Sequence, residues 1–246
     1  MNNYQIIAET FENKKICFYQ CDFKKRFKLS EVLKLSAEIA GDDFSLRGFS
    51  HKNLLDKGMV FVVSKVSFAI LEYPVDQQNI IASTWMEGNK GASFLRGFEI
   101  KDAETGESLI QGKSNWIVIN PHTRKIIKPS SAGFDNMPQI TDRESEAVPT
   151  GRIKAEKMTY VGKREIRMSD LDANGHVYNS VYADISIDYV SRDVYECNLN
   201  NFRINYISEA KLGDIVNIYT SYEGSRTVII GMLDEKICFE TELINK

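Results

Sequence analysis

The chain has 246 residues, 43% of them hydrophobic and 26% charged, with a formal net charge of −3 at pH 7. That length holds one large domain or two small ones with a sound core, and a nearly balanced charge argues against a general nucleic-acid binder. No apolar run approaches the ~18–20 residues of a membrane helix, and Met1 to Thr10 lack a basic-then-apolar leader pattern, so the expectation is a cytoplasmic protein without a membrane span.

In chain order, Ile16 to Tyr19 alternates as a strand, placing Cys17 and Cys21 on one face as small apolar side chains. Leu29, Val32, Leu33, Ser36, Ala37 and Ala40 then fall at helical steps, with Ser30 to cap the start and Gly41 to end it. Val60 to Tyr73, Ile80 to Met86, Phe94 to Ile100 and Leu109 to Asn120 read as strands rich in β-branched and aromatic residues. Asp102 to Gly106 reads as the turn of a hairpin. Three of the five prolines lie in the weakly periodic stretch from Lys128 to Arg152, the natural linker. Strand patterns resume at Lys157 to Met168. A second helix carries Tyr178, Val181, Tyr182, Ile185 and Tyr189 on its apolar face. Asn201 to Tyr206, Asp214 to Tyr222, Thr227 to Leu233 and Ile237 to Leu243 complete the strands.

One helix with several antiparallel strands, twice over, is an α+β plan. Residues 1–128 form one domain, 129–152 a linker and 153–246 a second domain. The halves overlay without gaps over their long strand: Ser67 falls on Arg203, Ile80 on Val216, Thr84 on Thr220 and Tyr73 on Glu209. Duplication of one module explains this economically.

The densest polar cluster is Ser169-Asp170-Leu171-Asp172-Ala173-Asn174-Gly175-His176, between a strand and the second helix. It offers a carboxylate, an amide and an imidazole at alternate positions, which an extended loop would point the same way. Backbone N–H groups at the following helix start can stabilise a developing negative charge. The plainer reading is that Asp and Asn before a helix are caps and turn formers.

The wider pattern tips that balance. Asp170-Leu171-Asp172-Ala173-Asn174-Gly175-His176-Val177-Tyr178-Asn179 followed by Tyr182, then Ile204-Asn205-Tyr206-Ile207-Ser208-Glu209, resembles the acyl-acyl-carrier-protein (acyl-ACP) thioesterases. So do Thr84-Trp85, Arg96 to Asp102, and Ser114 to Asn120 followed by Thr123-Arg124. The resemblance implies a tandem double hot-dog fold, each helix wrapped by an antiparallel sheet. It implies hydrolysis of fatty acyl-ACP to end fatty acid synthesis, with Asp172, Asn174, His176 and Glu209 as the catalytic set and the first half as scaffold and acyl pocket. Acyl carrier protein is the implied partner, and the state is a monomer or homodimer. Neither cofactor nor metal is expected: no cysteine pair has C-x-x-C spacing, and none of the three histidines is paired with another. Two positions depart from the family pattern: Tyr178 stands where the family has Asn, and Ala210 where plant members often carry Cys, which removes a cysteine nucleophile there.

On this reading Asp172 attacks the thioester or activates water, Glu209 orients that water or His176, Asn174 positions the reacting group, and His176 protonates the leaving sulfur. The rivals are a coenzyme A thioesterase or a dehydratase on the same fold, or a non-catalytic acyl or carrier-protein binding module. His51 and His122 read as surface residues, and Trp85 and Trp116 as core or pocket wall. The basic run Arg152, Lys154, Lys157, Lys163, Arg164 and Arg167 serves either to steer an acidic carrier or as a solvated face.

Overall fold

A computed structural model describes residues 9–134 and 137–246. Residues 1–8, read above for a leader, and residues 135–136 of the expected linker lie outside the described residues. The elements are β1 (Glu9–Lys15), α1 (Leu29–Leu46), α2 (His51–Asp56), β2 (Val60–Ile70), β3 (Asn79–Lys90), β4 (Ser93–Asp102), β5 (Ser108–Ile119), β6 (Ile126–Ile127) and α3 (Pro129–Ala132). They continue as β7 (Thr159–Glu165), α4 (Val181–Asp188), α5 (Arg192–Glu196), β8 (Leu199–Tyr206), β9 (Ile215–Glu223), β10 (Arg226–Leu233) and β11 (Lys236–Asn245).

The strands make one antiparallel sheet in the order β1-β3-β4-β5-β2-β8-β11-β10-β9-β7, with β6 beside β5. Read outward from the β2–β8 junction, the two sides repeat the same order, five strands from each half, with β6 an addition to the first. At the junction Ser67 stands directly opposite Arg203, the residue on which the gapless overlay places it. An approximate two-fold axis therefore runs between them, and the halves are copies of one module. Helices α1 and α4 pack against each other, α1 also on β1 and β3, and α4 on β11. This is the tandem double hot-dog arrangement. The helices and the sheet share one large core, in which Phe68 stacks on Phe202 across the junction. A second, aromatic cluster of Phe44, Phe61, Phe94 and Phe134 closes the outer end of the first half.

Several expectations change. The first strand is Glu9–Lys15, which pairs with β3, whereas Ile16 to Tyr19 leaves the sheet and enters a 3-10 turn at Phe18–Gln20. The inward positions of β1, Thr10, Glu12 and Lys14, are polar and Phe11 points outward, so no apolar alternation marks the strand. Cys21 is buried, but Cys17 is only half-buried and Cys197 is exposed. Helix α1 begins after Lys28, not with Ser30 as its cap, and runs through Gly41 to Leu46. Gly41 has open space around it, so nothing there stops the helix. The reason it continues is Asp43, fully buried, which accepts from Arg96 on β4 at 2.8 Å, Arg47 at 2.7 Å and Thr10 on β1 at 2.8 Å. Helix α4 starts at Val181, three residues later than Tyr178.

Candidate active site

The segment from Asp172 to His176 is a tight turn, not an extended loop. Leu171 and Val177 face each other in an antiparallel bridge, and Gly175 has φ +77°, the left-handed region that glycine enters freely. The Asp172 carboxylate folds back into the turn. Its Oδ1 accepts from the amides of Asn174 at 2.8 Å and His176 at 3.1 Å, and its Oδ2 from the Asn174 side-chain amide at 3.2 Å. The turn-former reading of Asp172 is therefore correct as local structure, and it also sets the spacing of the polar groups.

The distant strand end comes to this turn. The Nε2 of His176 lies 3.4 Å from Oε2 of Glu209, both side chains about one third exposed. Their backbones are locked together. His176 pairs in a bridge with Lys211, and the Val177 amide donates to the Ala210 carbonyl at 3.1 Å. The Ala210 amide in turn donates to the buried Tyr182 hydroxyl at 3.1 Å. Thus α4, the turn and the end of β8 are tied at Ala210, beside Glu209. All four expected residues share one locality: three in the turn, and Glu209 in contact with His176.

The amides of Asp172, Asn174, Gly175, His176, Val177 and Tyr178 all donate to internal acceptors. An oxyanion site built from these turn amides is closed. Cys238, behind the site, is no substitute nucleophile: burial pushes its thiol up to about 11.

Sequence reasoning missed Arg124. It sits at the end of the β5–β6 hairpin of the first half and ion-pairs with Glu209 through the same Oε2 that faces His176. The signal available was the short Thr123-Arg124 match, which carried no hint of a contact across the halves. His51 and His122 are exposed, Trp85 is buried and Trp116 half-buried. Of the basic run, Arg164 is committed to Asp170 at 2.8 Å and Arg167 to Glu165 at 3.2 Å, while Lys163 is exposed.

The first half carries the same turn. Cys21 bridges Phe27, Asp22 accepts from the amides of Lys24 at 2.8 Å and Arg26 at 2.9 Å, and Lys25 takes the positive φ of 62° where the second half has Gly175. Asp22 thus matches Asp172, Arg26 matches His176, and Tyr73 matches Glu209. This copy is chemically closed. The Arg26 guanidinium pairs with Asp22 at 2.8 Å and lies over the rings of Tyr73 and Tyr195. A cavity of about 770 Å³ opens beside it, between Phe23 and Leu29 of the first half and Asp184, Ile187 and Asp188 of α4. None of the four candidate residues lines it.

Comparison with known proteins follows this geometry. Residues 8–130 match the acyl-ACP thioesterase N-terminal domain and residues 153–242 the acyl-ACP thioesterase C-terminal domain. An oleoyl-acyl carrier protein thioesterase of Coriandrum sativum is 24% identical over 83% of this chain and 60% of its own length. A dodecanoyl-[acyl-carrier-protein] hydrolase of Cinnamomum camphora is 25% identical over 77% of this chain and 50% of its own. The chain thus spans about half to three fifths of these plant relatives. Among solved structures, an acyl-ACP thioesterase from Bacteroides thetaiotaomicron superposes with a TM-score of 0.89 at 20% identity, covering 97% of this chain and 98% of that one. A 12:0-ACP thioesterase from Umbellularia californica gives 0.77 at 18% identity, covering 97% of each. With both domain models matched in order and the fold shared end to end, the chain belongs to the acyl-ACP thioesterase family.

Proposed function

We propose that this chain hydrolyses the thioester of fatty acyl carrier protein, releasing the free acid and ending chain synthesis, with Asp172, Asn174, His176 and Glu209 as its catalytic set. The observation that carries the reading is the 3.4 Å approach of His176 to Glu209, held by the backbone ties of Val177 to Ala210 and of His176 to Lys211. Hydrolysis adds water across the C–S bond. The carbonyl carbon gains an oxygen, the sulfur leaves, and the sulfur needs a proton. Asp172 supplies the base or nucleophile. Asn174, with one amide hydrogen on Asp172, has a second for the carbonyl oxygen. His176, oriented by Glu209, delivers the proton to sulfur. No cofactor enters this chemistry.

In this reading residues 1–128 act as scaffold and wall of the acyl pocket, residues 129–152 as linker, and residues 153–246 as the catalytic half. Exposed Lys163, on the strand leading into the turn, is a contact for an acidic carrier. Arg164 is less suited because Asp170 holds it.

Thiol release from purified acyl-ACP tests the assignment. His176→Ala and Asp172→Asn should each lower kcat by about 10²–10⁴-fold, the usual range for a positioned acid or base, with the circular dichroism spectrum of His176→Ala unchanged. Near-wild-type turnover in both variants would refute it.

A further inference from the structure

We propose that Arg124, contributed by the first half, is a positioning residue for the Glu209–His176 pair, so that the active site is completed across the two halves. The inference rests on the thioesterase reading above and deepens it. Four observations carry it. Arg124 ion-pairs with Glu209 through Oε2, the same oxygen that faces His176 Nε2 at 3.4 Å. A guanidinium on that oxygen fixes where the carboxylate lies.

The hairpin that carries Arg124 is built to present it. Asn120 accepts through Oδ1 from the amides of His122 at 3.0 Å and Thr123 at 2.9 Å, and its carbonyl accepts from the Arg124 amide at 2.8 Å. Arg124 itself has φ 59°, a conformation a non-glycine residue enters only when its surroundings impose it.

The duplicated module gives the third observation. In the first half the cation at this corner is Arg26, within the turn, 4.6 Å from the ring of Tyr73. In the second half the turn position is His176 and the strand-end position is Glu209, and the cation comes from the other half. Finally, the pair is half exposed, Arg124 at 50% and Glu209 at 34%. An exposed ion pair adds little to stability, so a fold-stabilising role accounts poorly for a strained residue held there.

The charged side chains in contact with Glu209 are Arg124 from the β5–β6 hairpin and His176 from the turn, among the described residues. Removing Arg124 deprives Glu209 of its nearest fixed cation.

The test is steady-state thiol release from acyl-ACP for wild type, Arg124→Ala, Arg124→Lys, Glu209→Gln and the Arg124→Ala/Glu209→Gln double variant. Expected for Arg124→Ala are a fall in kcat of about tenfold and a KM within about twofold. Arg124→Lys should restore most of the rate. In the Glu209→Gln background, Arg124→Ala should add less than about twofold, because the two act as one unit. Wild-type kcat in Arg124→Ala overturns the inference, as does a full multiplicative loss in the Glu209→Gln background. A wild-type enzyme that releases no thiol refutes the thioesterase reading itself, and the inference with it.

Discussion

Tyr182 shows how one buried hydroxyl supports the candidate site without belonging to its polar set. It lies under the junction of α4 and β8, and its oxygen accepts the amide of Ala210, the residue after Glu209. Burial pushes the Tyr182 hydroxyl well above the usual tyrosine range, so it stays protonated and its donor and acceptor remain in place. Tyr182→Phe leaves the Ala210 amide unsatisfied in a dry environment. That should lower unfolding stability by about 1–3 kcal/mol, measured by urea denaturation, and reduce kcat several-fold through looser placement of Glu209. A variant as stable as wild type would mean that the amide finds another acceptor.

At the scale of elements, the buried ion network between α1 and β4 decides where the first helix ends. Arg96 is 1% exposed, and its guanidinium spans Asp43 and the Thr84 hydroxyl on β3. Burial alone would raise the Asp43 carboxyl, but hydrogen bonds and charge from Arg47, Arg96 and Thr10 outweigh it and hold the group below its ordinary value of 3.8. The sign follows from linkage. The stabilisation is fully present above 3.8 and is lost as pH falls through the depressed native value, because the unfolded carboxyl takes up its proton first. Asp43→Ala leaves a buried guanidinium with one partner fewer and should cost about 3–5 kcal/mol at pH 7. The deficit relative to wild type should shrink below pH 4, and thermal melts at pH 7 and pH 3 check both statements. This network also marks the limit of what could be read beforehand. Strands β2 to β5 and β8 to β11 were legible because their alternation continues for eight residues or more, and the turn because four polar types crowd into it. Asp43 was not, because Gly41 looks like a helix end when the partner holding the next turn lies fifty residues away. The extended form assumed for Asp172 to His176 failed for a related reason: periodicity gives side-chain direction only when the backbone is regular, and the Asp172 carboxylate itself bends that backbone.

Across the whole molecule the two halves share a sheet order, a helix and a turn, yet only the second turn carries the proposed catalytic set. The difference lies in three substitutions at matched positions: Arg26 for His176, Tyr73 for Glu209 and Lys24 for Asn174. In the first half Asp22 is engaged by Arg26 and by the Tyr195 hydroxyl at 2.8 Å. Burial works to raise its carboxyl, and the hydrogen bonds from Arg26 and Tyr195 prevail in holding it below the usual range. Tyr195 comes from the second half, so this cluster has become a clamp between the modules. Restoring histidine alone cannot revive it. With Arg26→His the imidazole would face a phenol that cannot act as a carboxylate, and Asp22 would lose its guanidinium. In a His176→Ala background, Arg26→His should therefore leave acyl-ACP hydrolysis at the background level. Stability should fall by about 3 kcal/mol, since removing one member of a buried pair strands the other. Thiol-release assays and urea melts on the double variant read both quantities. Recovery of turnover would show that the turn alone, and not its meeting with Glu209, makes a site.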